Sequence, residues 1–281
     1  QTTTNFNVTL SYGSLVVEYL SSSLNITMKT LAAMTLQVDP NNSTVNAATY
    51  YLFTIVFSQT HQTNDIITIT VPISFTNLTN IICSAVSGIS SLACGYVVPS
   101  LSINMTFTTF PSNYTIQFSI STFTNNWYTS SSTFLGTVSS GGYDMETGSG
   151  TIVFVSSALA VNVSKDQNIV LLSSSLITFT ISPPFSLTSS GLSLTISLPP
   201  TTLNATSCNS TSNSVCSISN NVVIVSNLNG FQSSLIVSVN ATTGYFTSTS
   251  GFPAVLLINN NVIAQNNDVI VNSFCNTPCQ Q

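Results

Sequence analysis

Ionisable side chains are so scarce in this sequence that each can be weighed singly. Lys29 and Lys165 are the only lysine or arginine residues, His61 is the only histidine, and the anions are Glu18, Asp39, Asp65, Asp144, Glu146, Asp166 and Asp268. Acyl transfer by a serine needs a base beside the hydroxyl and a carboxylate that orients the base. The one version this chain offers is His61 with Asp65 and any of many serines. Those residues lie in Gln59-Thr-His-Gln-Thr-Asn-Asp65, between two segments that read as paired strands, and the expectation is a solvated loop. Glycoside hydrolysis needs two carboxylates facing one bond, and Asp144 and Glu146, two positions apart, are the nearest approach to that. With Asp166 the same pair forms a candidate Ca2+ site at a junction between tandem sandwiches, since Ca2+ takes carboxylate and carbonyl oxygens. The competing reading is an ordinary polar linker. The 12 glycines are scattered among turns rather than gathered into a phosphate loop. The expectation is therefore a chain with no catalytic residues, no resident metal and no cofactor, and not an enzyme.

Cysteine and asparagine carry the remaining chemistry. Cys83, Cys94, Cys208, Cys216, Cys275 and Cys279 make an even count of six, which suits an oxidising compartment. Connectivity does not follow from the count; the economical bet joins sequence neighbours, Cys83 with Cys94 and Cys208 with Cys216. Zinc is the competing reading, but the spacing is wrong and only one histidine is present. Cys275-Asn-Thr-Pro-Cys279 has a different spacing, either the opening of a cysteine-rich repeat that runs on or a local or interchain disulfide. Asn-x-Ser/Thr sequons occur at Asn7, Asn25, Asn41, Asn42, Asn77, Asn104, Asn113, Asn162, Asn204, Asn209 and Asn240. N-linked glycans there would hydrate a surface that lacks ions; the alternative is a naked Ser/Thr surface. Trp127, the only tryptophan, stands beside Tyr128. Exposed, the two rings could stack on a sugar; the better reading for a sandwich is a core aromatic.

The elements that hold these residues read as strands throughout. Ile66-Ile-Thr-Ile-Thr-Val71, Ile116-Gln-Phe-Ser-Ile120, Leu192-Ser-Leu-Thr-Ile-Ser-Leu198 and Leu235-Ile-Val-Ser-Val239 have the period-two alternation of strands with one buried face. Turn signals such as Asp39-Pro40-Asn41-Asn42, Gly141-Gly142 and Asn229-Gly230 separate them. The pattern also repeats. Met34, Leu36 and Val38 match Leu159, Val161 and Val163; Phe53 and Ile55 match Phe179 and Ile181; Ile69 and Pro72 match Ile196 and Pro199; Cys83 and Cys94 match Cys208 and Cys216; Tyr128 and Phe134 match Tyr245 and Phe252. The offset drifts from 127 at the prolines to 118 at the phenylalanines, as differing loop lengths require. This predicts an all-β chain of two tandem immunoglobulin-like β-sandwich modules, at 23–146 and 147–271. An extra N-terminal strand segment, 1–22, is paired with its own module or donated to a neighbouring copy, and 272–281 forms a cysteine-containing C-terminal segment.

Composition excludes several partner classes. Charged residues make up 3% of the 281 and the formal charge is −5, so no basic patch exists for nucleic acid or for anionic lipid. An apolar fraction of 43% and a mean hydropathy of +0.42 are the reverse of the disordered signature. No apolar run reaches the roughly 18 residues of a membrane-spanning helix. So few ionisable groups predict a stability that varies little with pH. The start at Gln1, without Met, suggests a processed or internal piece of a longer precursor.

The doubled pattern of a strand ending in Pro, a cysteine pair and two further alternating strands resembles the immunoglobulin-like repeats of large ciliate surface glycoproteins. Its carriers are Ile66 to Pro72 with Cys83 and Cys94, Leu192 to Pro199 with Cys208 and Cys216, and Cys275 to Cys279. The near absence of lysine departs from that family, which brings no catalytic residues. The chain is also similar to archaeal thread and pilus subunits from acidic springs, which are likewise poor in charge, rich in sequons and built of β-sandwiches joined by donated strands, though six cysteines fit that group less well. Both resemblances imply an extracellular filament, fibril or surface coat built from copies of the chain. The alternative is a cell-surface adhesin or carbohydrate-binding protein.

Overall fold

The structure is a computed structural model that describes residues 2–3, 8–20, 26–27, 31–62, 64–73, 75, 81–89, 92–97, 100–105, 109–165, 174–198, 203–211, 214–230, 234–243, 250–267 and 270–271. All regular structure among them is strand, and no helix is long and apolar enough to cross a membrane. The first module contains β1 (Ala32–Ala33), β2 (Thr35–Pro40), β3 (Ala48–Val56), β4 (Ile66–Thr70), β5 (Ile82–Ser87), β6 (Leu92–Val97), β7 (Ser100–Met105), β8 (Thr115–Thr124), β9 (Ser131–Ser140) and β10 (Tyr143–Val153). The second contains β11 (Ser157–Ala158), β12 (Ala160–Lys165), β13 (Ser174–Ser182), β14 (Leu192–Ser197), β15 (Leu203–Ser210), β16 (Val215–Ser219), β17 (Val222–Leu228), β18 (Leu235–Thr243), β19 (Ala254–Ile258) and β20 (Asn261–Asn266).

Each module is two sheets. In the first, the four-stranded sheet runs β5-β8-β3-β2 and the six-stranded sheet runs β6-β7-β4-β9-β10-β1. In the second, the orders are β15-β18-β13-β12 and β16-β17-β14-β19-β20-β11, so every strand is the counterpart of the one numbered ten lower. The duplication read from the sequence is thus a duplication of topology. It extends to side chains. Phe53 meets Phe134 edge to face at 5.4 Å, and their counterparts Phe179 and Phe252 do so at 5.5 Å. All four rings are buried.

The alternation decides which face goes inside. On β3, Tyr51, Phe53 and Ile55 are buried while Tyr50 stays exposed, and on β14 Leu192, Leu194 and Ile196 are buried while Ser193 and Thr195 face outward. The strand positions are those of a variable-type immunoglobulin sandwich, with β2, β3, β8 and β5 in the A, B, E and D places and β4, β9, β10, β7 and β6 in the C, F, G, C′ and C″ places. Between C and E the chain visits them in its own order, D first, then C″, then C′. That order makes β5 and β6 consecutive in sequence while they sit at the same margin of opposite sheets. A disulfide between sequence neighbours therefore ties the two sheets together: Cys83 to Cys94 across a Cα separation of 6.1 Å, and Cys208 to Cys216 across 5.8 Å.

Two boundaries differ from the sequence expectation. β10 pairs with β9 along its whole length, from Ser140↔Tyr143 to Ser131↔Val153, so the first module runs on to residue 153 and the division at 146/147 would cut a strand. Two glycines in this strand are there for space. A Cβ on Gly148 would stand 2.5 Å from the Met34 carbonyl oxygen, and one on Gly150 would stand 2.9 Å from that of Leu36. The N-terminal segment also runs past its expected end. Val8–Tyr12 and Leu15–Leu20 form an antiparallel hairpin about Gly13, whose φ of 61° suits the turn, and Thr2–Thr3 pairs with Ile26–Thr27 beyond the expected end at 22.

Candidate functional site

The chain's single histidine is inside the protein. His61 and Asp65 are 1% and 4% exposed, which corrects the expectation of a solvated loop between β3 and β4. Phe57, which ends the buried alternation of β3, starts the turn inward, with its ring 4.8 Å from the imidazole. The short strand His61–Gln62 then pairs with Thr109–Phe110 and fixes the loop against the body of the module. The His61 Nδ1 lies 2.9 Å from Asp65 Oδ2, which also accepts the Gln62 N–H at 3.0 Å.

Glu146 completes the cluster from β10 and is fully buried. It accepts hydrogen bonds from the Ser58 N–H and the Ser58 hydroxyl, each at 3.1 Å, and from the Gln59 N–H. Its Oε1 stands 3.3 Å from His61 Nε2, off the N–H direction, so this contact is electrostatic and not a hydrogen bond. A bulge explains why Glu146 goes in while Asp144 stays out. Val138 pairs with Glu146 but Ser139 pairs with Asp144, leaving Met145 as the extra residue that breaks the two-residue alternation.

Electrostatics bind the loop tighter. Burial alone would raise the pKa of Asp65, but hydrogen bonds from Ser140, the Gln62 N–H and His61, with the charge of His61, outweigh it and hold the carboxyl below its ordinary value. As a hydrolytic triad the arrangement is incomplete. The imidazole edge that would take a serine proton faces Glu146, and the two hydroxyls at hand, Ser58 and Ser140, donate to carboxylates. What the cluster does is satisfy the loop's own backbone N–H groups at 58, 59 and 62 inside the protein.

The suggested Ca2+ site does not assemble. Asp144 is exposed, Glu146 is engaged as above, and Asp166 lies outside the described residues, among which no three His, Cys, Asp or Glu side chains are placed so that they could hold a metal ion. Cys275 and Cys279 also lie outside them, as do Asn7, Asn25 and Asn77. Asn41, Asn42, Asn113, Asn162, Asn204, Asn209 and Asn240 are all exposed, while of Asn104 only the backbone, on β7, is described. The Asn41–Asn42 turn is held from beneath by Asn125, a buried amide that accepts from the Tyr51 hydroxyl and donates to the carbonyls of Asn42 and Thr44 at 2.8 and 2.7 Å. Trp127 is neither a core side chain nor an open platform. It is half-buried at the module junction, edge to face with Phe185 of the second module at 5.6 Å, and the Thr129 N–H reaches the Val262 carbonyl at 2.8 Å beside it.

The scarcity of charge could have hinted at the cluster, because an ion kept in so neutral a chain has a partner or a task. No local signal joins residues 61 and 146.

No family model matches the chain, and no curated protein sequence matches it. Among solved structures it is similar to the C-terminal domain of the Streptococcus agalactiae antigen I/II polypeptide BspA, at 9% identity over 82% of this chain and 97% of that one, TM-score 0.31. The C-terminal domain of the Streptococcus pyogenes antigen I/II-family protein AspA gives 8% identity over 83% and 97%, TM-score 0.32. Red sea bream transglutaminase gives 11% over 84% and 30%, TM-score 0.37. These likenesses are too slight to carry a functional argument.

Proposed function

We propose that this chain is a structural subunit of an extracellular glycoprotein filament, fibril or surface coat, assembling with copies of itself through its sandwiches. The observation that carries the reading is the exposure of all seven sequon asparagines whose side chains are described, in a chain with only nine Asp, Glu and Lys residues to hydrate its surface. Sugars at those positions supply the solvation that ions supply elsewhere. The cross-sheet disulfides suit the same oxidising compartment.

In this reading the chain is not an enzyme and holds no metal or cofactor. His61, Asp65 and Glu146 form a structural clasp, and neither nucleic acid nor a membrane interior is a partner. Among the described residues the N-terminal hairpin pairs only with itself, and its edges are the ones proposed for strand addition to a neighbour. Ciliate surface glycoproteins and archaeal threads are the two settings in which such a subunit would be at home. The adhesin alternative leans on an open Trp127 surface, which the contact with Phe185 makes less available.

Electron microscopy of native material, with glycopeptide mass spectrometry, tests the proposal. Ordered fibres or sheets built on this subunit, with sugar on the exposed sequons, are expected. Monodisperse, unglycosylated monomers at every concentration would overturn it.

A further inference from the structure

The two outer faces of the second module are unlike. Its four sequon asparagines, Asn162 on β12, Asn204 and Asn209 on β15 and Asn240 on β18, all belong to the four-stranded sheet and are all exposed. Their inward neighbours identify the face: Val161 and Val163, Ala205 and Cys208, and Val239 and Ala241 pack on the core. The sequons therefore share the outer face of one sheet, three of its four strands contributing.

The six-stranded sheet bears none. Its outward positions alternate with the buried Val223, Val225, Leu194, Ile196, Ala254 and Leu256. Thr195 on the central β14 lies between Ile224 on β17 and Val255 on β19, with Ser193 beside Leu257 and Ser197 beside Val222. The four aliphatic side chains are half-buried, and Val215 at the β16 margin is 54% exposed. No strand of this sheet contains a charged residue.

We infer that this sugar-free face of the second module is the surface through which copies of the chain associate. The inference rests on the assembly reading above and gives it a site. A glycan occupies far more room than a side chain, so the sequon-bearing sheet is closed to flat packing. The opposite sheet is open, neutral and patterned in aliphatic and hydroxyl side chains, as protein contact surfaces with charge-depleted centres are. Charge selects the occupant. An uncharged face pays least desolvation against another uncharged face, and a chain with 3% charged residues is such a partner for itself.

Two matched substitutions test this in a glycosylating host. Ser193→Asn completes a sequon with Leu194 and Thr195 on the open face, and Thr180→Asn completes one with Ile181 and Ser182 on the face that already carries them. Both are read by glycopeptide mass spectrometry, thermal unfolding and sedimentation velocity. The expected result is that the Thr180 variant assembles as the parent does while the glycosylated, folded Ser193 variant stays monomeric. Ile224→Glu, which adds a charge without sugar, is expected to raise the concentration needed for assembly about a hundredfold. Assembly of the glycosylated Ser193 variant, or of the Ile224 variant at the parent's concentration, overturns the face assignment and leaves the assembly reading standing. A parent that never assembles overturns both.

Discussion

Truncating Glu146 to alanine should damage the first module out of proportion to one surface-sized side chain. The carboxylate is fully buried and receives the N–H groups of Ser58 and Gln59 with the Ser58 hydroxyl. Alanine leaves two backbone donors without acceptors, at about 1–3 kcal/mol each. It also leaves His61 facing a void where it faced Oε1 at 3.3 Å, and breaking a buried pair from one side costs about 3–5 kcal/mol in other proteins. These terms overlap, and the sum is roughly 3–6 kcal/mol. For a module of this size about 4 °C accompanies each kcal/mol, so the unfolding midpoint should fall by roughly 12–24 °C. Scanning calorimetry is the assay, with Asp144→Ala as the control because Asp144 is exposed two residues earlier on the same strand. Glu146→Gln, which keeps an acceptor oxygen but brings an amide group against the N–H donors, should fall between the two. A loss of less than about 4 °C, or an equal loss in the Asp144 control, would refute the claim that the clasp holds the loop.

So few ionisable groups leave stability nearly level with pH, and the exception should come in acid, where this cluster takes up protons. The native Asp65 carboxyl is held below its ordinary value of 3.8, so its contribution is complete above that pH and is lost as pH falls through the lower native value. Midpoints should be level from about pH 7 to 5 and drop below about 4, and Asp65→Asn should lower the neutral midpoint while flattening the acid fall; a parent curve that stays level to pH 2 contradicts this. Gly148→Ala places a Cβ 2.5 Å from the Met34 carbonyl oxygen, a backbone clash expected to cost about 3 kcal/mol or more, whereas Gly95→Ala meets nothing within 4 Å and should leave the urea midpoint almost unchanged. Replacing Cys208 and Cys216 together by serine should lower the second module's stability by about 2–3 kcal/mol, the loop-closure value for their separation of 8, with equal midpoints for oxidised parent and double variant as the contrary result.

Much of the fold was open to reading because its information is local. Alternation along β3, β4, β14 and β18 places Phe53, Ile69, Ile196 and Val237 inside with no knowledge of the partner strand. The matched Phe53–Phe134 and Phe179–Phe252 pairs follow from lining the chain up against itself. The economical pairing of cysteines near in sequence holds for a topological reason, the consecutive placement of β5 and β6 at one margin of the sandwich. The clasp was hidden because burial of Glu146 depends on one bulged residue, Met145, and on a loop some 85 positions earlier. A reading that extends alternation evenly puts Asp144 and Glu146 on the same face. The module boundary went astray for a related reason. The repeat length alone puts the division at 146/147, and only the pairing of β10 with β9 as far as Val153, with Gly148 and Gly150 clearing Met34 and Leu36, shows that the strand continues.

The first and last strands of each module lie side by side and run the same way. β1 is parallel to β10, with the Met34 N–H on the Thr147 carbonyl at 3.0 Å, and β11 is parallel to β20, with the Leu159 N–H on the Gln265 carbonyl at 3.0 Å. Tension applied at the two ends of a module pulls such a pair past one another lengthwise. The hydrogen bonds of the seam then share the load and must yield together, where strands peeled apart crosswise would surrender them one at a time. Each repeat thus has a mechanical fuse at the point where force enters and leaves it, followed by a cross-sheet disulfide that limits how far the chain between its cysteines can pay out.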